Sequence, residues 1–188
     1  MAEKSATSHH IIIDPNQQTE WESVGLHHLT QAGYNNFTLR EEPSEFVLPN
    51  LTEKMTPIEL AFIDGWHRFD HTLVDFFYIN RLLRPGGILV VDDVRMPSVR
   101  RVMRMIHTYP CYRMVGHVPV KYSTKGKAVE IVKTAFRPLS KLFGKRIAVE
   151  MIDASVVNSD TSLGLNSSVI AFQKVGEDSR PWNWYENF

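Results

Sequence analysis

The stretch "LAFIDGWHRFD" (residues 60–70) decides how this chain is to be read. A short apolar run stops at Asp64, and His67 stands three residues beyond the carboxylate. A second run, "ILVVDDV" (88–94), closes the same way on Asp92 and Asp93. Short apolar runs bounded by turn-forming residues read as buried strands. Between them, "FDHTLVDFFYINRLL" (69–83) repeats Leu73, Phe76, Phe77, Asn80 and Leu83 at helical spacing. Strand, helix and strand at this spacing predict a parallel pair with a crossover helix.

The pattern continues in both directions. "HIIID" (10–14) reads as a strand closed by Asp14, with Pro15 behind it. Residues 19–33 read as a helix, with Trp21, Val24, Leu26, Leu29 and Ala32 as a rough apolar stripe and Gly33 as the stop. "NFTLRE" (36–41) is a strand, followed by a helical or irregular stretch to about Lys54. "RPGG" (84–87) reads as the turn that ends the helix over 69–83. "PSVRRVMRMIHTY" (97–109) opens a helix on proline, and 112–117 and 167–176 are two further strands. The expectation is an α/β fold with helices on both faces of one sheet. In such sheets ligands bind beyond the carboxyl ends of the strands. Asp14, Asp64, Asp92 and Asp93 all fall at strand ends, where they would line one crevice. A lone strand-end Asp could equally cap the helix that follows, but four at three strand ends favour a site.

Composition narrows the function. With 188 residues the chain is expected to form a single domain, residues 1–188. Lys+Arg and Asp+Glu each total 21, so no global field argues for nucleic acid or a membrane surface. The lone Cys111 excludes an intramolecular disulfide and suits a reducing compartment. "MAEKSATSHH" lacks the apolar core of a signal peptide, and no run is long enough to span a bilayer. The sequence therefore predicts a soluble, cytoplasmic protein.

"IDPNQ", "FIDGWHRFDHTLVDFFYINRLLRPGGILVVDDV" and the terminal "GEDSRPWNWYENF" resemble bacterial class I S-adenosylmethionine-dependent methyltransferases, closest to the small-molecule O-methyltransferase-like branch. The resemblance covers most of residues 9–117 plus the last strand and tail. It implies a Rossmann-like sheet, mostly parallel with an antiparallel last strand. It further implies that Asp14 binds the cofactor ribose, as an ionised carboxylate accepting two hydroxyl hydrogen bonds would. Glu41 or Glu42 falls near the adenosine, with Glu42 the one assigned. Asp64, Asp92 and Asp93 match carboxylates that bind Mg²⁺ or another divalent cation in metal-dependent relatives, and Asp64 is counted among the cofactor-binding residues as well. His67 matches the spacing of a general base, able to take a hydroxyl proton as the methyl group moves. The implied activity is methyl transfer to a small-molecule hydroxyl.

The sequence departs from that family at its start. The family fold opens with a strand and a glycine-rich loop that approaches the methionine part of the cofactor. Neither precedes "HIIID", so the domain is expected to be N-terminally incomplete and to leave strand edges open. Open edges make a homo-oligomer possible. The alternative function is a truncated or degenerate methyltransferase-like protein that works by association with a partner chain. Finally, residues 119–166 form an insert whose first part, 119–150, carries six Lys and two Arg against Glu130 and Glu150. Val129, Val132, Phe136, Leu139 and Phe143 fall on one side at helical spacing, and Pro138 is placed to kink or break that helix. This basic insert is expected to lie over the crevice as a lid or substrate-recognition element, its charge either favouring an anionic substrate or, the preferred reading, forming a solvated helix face.

Overall fold

The computed structural model describes residues 8–120, 128, 131–135, 138 and 154–188. These fall into two compact units, Met1–Thr56 and Pro57–Phe188. The fold class is the expected α/β, with two separate sheets among the described residues.

In the first unit, β1 (His10–Ile13) and β2 (Phe37–Arg40) pair in parallel, with Ile11 beside Thr38 and Ile13 beside Arg40. Two hydrogen bonds extend the pairing, from His10 N to Asn36 O and from Asp14 N to Arg40 O. Between the strands, α1 covers only Val24–Gln31 rather than the expected 19–33. The cause is local, because Glu22 and Ser23 hold φ values of 48° and 56°, in the left-handed region that a right-handed helix cannot include. The expected apolar stripe is not a buried one either: no α1 residue is buried, and Trp21 is exposed. Helix α2 (Ser44–Glu53) follows β2 and buries Val47 and Leu48.

The second unit holds a four-stranded sheet in the order β3-β4-β6-β5, where β3 is Ile58–Ile63, β4 Leu83–Val91, β5 Tyr112–Pro119 and β6 Ser167–Lys174. β3 runs parallel to β4, and β6 is antiparallel to both β4 and β5, so only the last strand runs against the rest. Side chains alternate across a strand. On one face Ala61, Ile63, Leu89, Val91, Ile170 and Phe172 are buried. Helices α3 (Phe69–Leu82) and α4 (Pro97–Thr108) contact the strands and each other, and contribute Phe76, Ile79, Val102, Met103 and Ile106 to the core. On the opposite face of β3, Leu60 and Phe62 stay 64% and 59% exposed.

The expected "RPGG" turn is instead part of β4. Ile58 pairs with Leu83 and Leu60 with Ile88, so Arg84–Gly87 bulge out of the ladder. Gly86 adopts φ +89°, and a Cβ on Gly87 would fall 2.7 Å from Leu83 Cδ1 and 3.0 Å from Glu59 O. Glycine is required at both positions.

At this base of the sheet the chain is tied down by charge. The buried Lys174 Nζ donates to Asn80 O (2.7 Å) and Leu83 O (2.8 Å), satisfying carbonyls at the end of α3. Arg180 makes a two-pronged pair with Asp178 and lies 3.3 Å over the Tyr109 ring.

Of the insert, the described residues include a helical stretch at 131–135, the short α5 (Ala154–Val157) and the loop to Asn166. Val132 is exposed. Val129, Phe136, Leu139 and Phe143 lie outside the described residues. Arg104, almost fully buried, donates to Asp160 Oδ1 and Asn158 O, both at 2.8 Å, and so fastens that loop to α4. Among the described residues no helix is long and apolar enough to cross a membrane.

Candidate functional site

The ends of β3 and β4 lie side by side, because the two strands are parallel and register Ile63 against Val91. The chain therefore delivers Asp64 and Asp92 to neighbouring positions, and Asp92 N closes the ladder on Ile63 O at 3.0 Å. Asp93 then takes φ 52°. Asp is among the few side-chain-bearing residues that tolerate this left-handed conformation. One Asp92 oxygen accepts the Asp93 amide at 2.7 Å and secures the turn. Val94, wholly buried, bonds to Ser168 O, and Met96 N returns to Asp93 O.

The outcome is a cluster of three. His67 Nε2 stands 2.8 Å from Asp93 Oδ2 and 3.8 Å from Asp64 Oδ1. One ligand atom from each of these residues lies within 4.8 Å of the others. Nε2 itself is buried and makes no well-directed hydrogen bond, so the 2.8 Å approach is a close contact rather than an aligned bond. Burial first, and the Asp92 charge second, hold the Asp64 carboxyl above its ordinary range, against the opposing pull of His67. Three electron-rich groups converging without a well-directed hydrogen bond between them can hold a cation or accept a proton.

The expected residues thus separate. Asp64, His67 and Asp93 come together, while Asp92 spends one oxygen on the backbone of its neighbour. Asp14, Glu41 and Glu42 belong to the first unit. There the two Asp14 oxygens accept Asn16 N (2.8 Å) and Gln17 Nε2 (2.7 Å). Glu41 takes Gln18 Nε2 at 2.8 Å, and Glu42 pairs with Arg40 at 2.8 Å. Two residues at the cluster escape a reading of sequence alone. Ser98 Oγ donates to His67 O at 2.5 Å, and the buried Asp75 carboxylate stands beside Gly65. Neither contact has a signal in spacing, since 31 residues separate Ser98 from His67.

The sequence profile of a family described as methyltransferase domain matches residues 1–94, half of the chain. Among solved structures, a protein named as an O-methyltransferase from Klebsiella pneumoniae aligns with TM-score 0.52 at 22% identity. That alignment covers 65% of this chain and 59% of the other. The O-methyltransferase from Bacillus cereus, solved in complex with SAH, aligns with TM-score 0.50 at 17% identity over 63% and 59% of the two chains. The likeness is one of fold, and this chain spans 59% of the length of each. No curated protein matches its sequence.

Proposed function

The chain belongs to the methyltransferase-domain family, and from that premise we propose that it transfers a methyl group from S-adenosylmethionine to a hydroxyl of a small molecule, assisted by a divalent cation. The observation that carries the reading is the convergence of Asp64, His67 and Asp93 beyond two parallel strands. Two carboxylates suit Mn²⁺ or Mg²⁺ with water completing the shell, so the Asp64 and Asp93 carboxylates are assigned to hold the ion and His67 is kept for the proton. When bound, it would lower the pKa of a coordinated hydroxyl.

Bound S-adenosylmethionine would supply the methyl group and leave as S-adenosylhomocysteine, the carbon–sulfur electron pair staying on sulfur. The chain's own residues supply the rest. Nε2 of His67 is assigned to accept the acceptor's hydroxyl proton, becoming an imidazolium. Asp93 at 2.8 Å stabilises that imidazolium. Asp14 is assigned to the ribose hydroxyls. Its bonds to Asn16 and Gln17 fix the carboxylate and leave lone pairs open on both oxygens. Glu42 is assigned to the adenosine side. A reducing, cytoplasmic setting fits the buried free thiol of Cys111.

A second reading, association with a partner chain without catalysis, is favoured by the outer edge of β3, which pairs with no strand among the described residues. One experiment separates the two. Labelled S-adenosylmethionine is offered with phenolic and sugar hydroxyl acceptors, with Mn²⁺ or with chelator, to the wild type and to His67→Gln. Transfer that chelator and the substitution each reduce at least 100-fold supports the enzyme reading. No transfer, with no binding of S-adenosylhomocysteine by calorimetry, leaves the association reading.

A further inference from the structure

We propose that Ser98 is a positioning residue that sets His67 against Asp93, an inference that rests on the site assigned above. The two loops forming the cluster are held very differently. The loop after β4 is locked into the core, since Val94 is fully buried and hydrogen-bonded to Ser168, and Met96 N bonds back to Asp93 O. Helix α4, which begins four residues on from Asp93, is anchored by Val99, Val102 and Ile106. The loop after β3, residues 64–68, is tied at its far end, where Thr72 Oγ1 donates to Arg68 O at 2.9 Å, and Trp66 stacks on His71, but neither contact touches the His67 main chain. Its side chains are exposed except for the half-buried His67, Trp66 stands 61% exposed, and Gly65 adds backbone freedom.

The Ser98 hydroxyl joins the two. It sits in the first turn of α4, half-buried, and donates to the main-chain carbonyl of His67. That bond acts on the main chain of the residue that carries the imidazole. It therefore transmits the fixed position of α4 to a ring that must stay within 2.8 Å of Asp93 across the gap between loops. A serine hydroxyl is short, with a single side-chain torsion, so it places the carbonyl within a narrow range. Removing it frees the His67 carbonyl to turn to water, and the ring then samples positions away from Asp93.

The test uses the full chain with ¹³C,¹⁵N-labelled histidine, read by the His67 ring resonances with and without Mn²⁺'s diamagnetic counterpart Mg²⁺. The wild type should give one narrow His67 signal. Ser98→Ala should broaden or split it, with the thermal midpoint unchanged within about 2 °C as expected for loss of one partly exposed hydrogen bond. Ser98→Thr, which keeps the hydroxyl, should restore the single signal. A His67 signal in Ser98→Ala indistinguishable from wild type overturns the proposal. Failure of the wild type to respond to Mg²⁺ counts against the metal assignment alone, because the ion-free His67 signal still decides the role of Ser98. Where the ion does bind, Ser98→Ala should weaken it about five-fold and Ser98→Thr should not.

Discussion

Asp64 is the residue at which stability and function pull apart. Burial and the neighbouring charges of Asp92 and Asp93 raise its folded pKa above the ordinary 3.8, outweighing His67. A raised carboxyl favours the folded state when protonated. Its contribution is fully present below pH 3.8 and is lost as pH rises through the folded value. Once ionised, the group is therefore a net cost that His67 offsets in part and a bound cation would offset further. Asp64→Asn should raise the thermal midpoint at pH 7 without divalent ions, by on the order of 1 °C for a side chain 48% exposed. The gap should close below pH 3.8. Wild type should gain stability on adding Mn²⁺, as any ligand of the folded state provides, and the variant should not. Scanning calorimetry at three pH values, with and without the ion, measures all of this. A variant less stable than wild type at pH 7 in chelator would contradict the assigned repulsion.

At the scale of elements, strands and helices were legible where periodicity was strong and misread where backbone geometry intervened. α3 and α4 fall where their apolar spacing put them, and β3 and β4 deliver Asp64 and Asp92 as their terminal carboxylates required. What sequence could not give was the direction of Asp93, which depends on a φ of 52°, or the bulge that absorbs "RPGG" into β4. Both are conformations that ordinary turn chemistry also uses, and only the paired strand distinguishes them. The bulge is testable. A methyl on Gly87 would meet Leu83 Cδ1 and the carbonyls of Arg84 and Glu59 at 2.7–3.0 Å. Gly87→Ala is expected to cost about 1–3 kcal/mol, the usual range for overpacking, seen as a lower urea midpoint. The tail clasp is a second element-scale case. Arg180's hydrogen bonds pull Asp178 down to about 2. A depressed carboxyl contributes stability above its unfolded value of 3.8 that is lost as pH falls through about 2. With the side chain 21% exposed, the contribution is about 2 kcal/mol. Asp178→Asn should lose that much at pH 6 by urea unfolding, and the difference should vanish below pH 2. An equal loss at both pH values would show that packing, not charge, holds the tail.

At the scale of the whole molecule, the outer edge of β3 sets the expected behaviour in solution. β3 bonds to β4 on one side and to no strand on the other among the described residues, and Leu60 and Phe62 stand exposed beside that edge. Unpaired strand donors and acceptors beside apolar side chains are a template for association. A second copy is a geometrically suitable occupant. Antiparallel pairing about a two-fold axis at Ala61 would place Leu60 beside Phe62 of the other copy on the same face, so one contact satisfies backbone and apolar surface together. These few side chains fall well short of the roughly 1,200 Å² of a stable interface, so the association should be weak and concentration-dependent. Light scattering on the full chain from about 10 to 500 μM should show apparent mass rising with concentration, over the range where such weak contacts act. Leu60→Lys places a charge on the edge, as natural edge strands do, and should restore a monomer at all concentrations without lowering the thermal midpoint. A wild-type chain that stays monomeric throughout, unfolding in one cooperative step, would show that the β3 edge needs no partner.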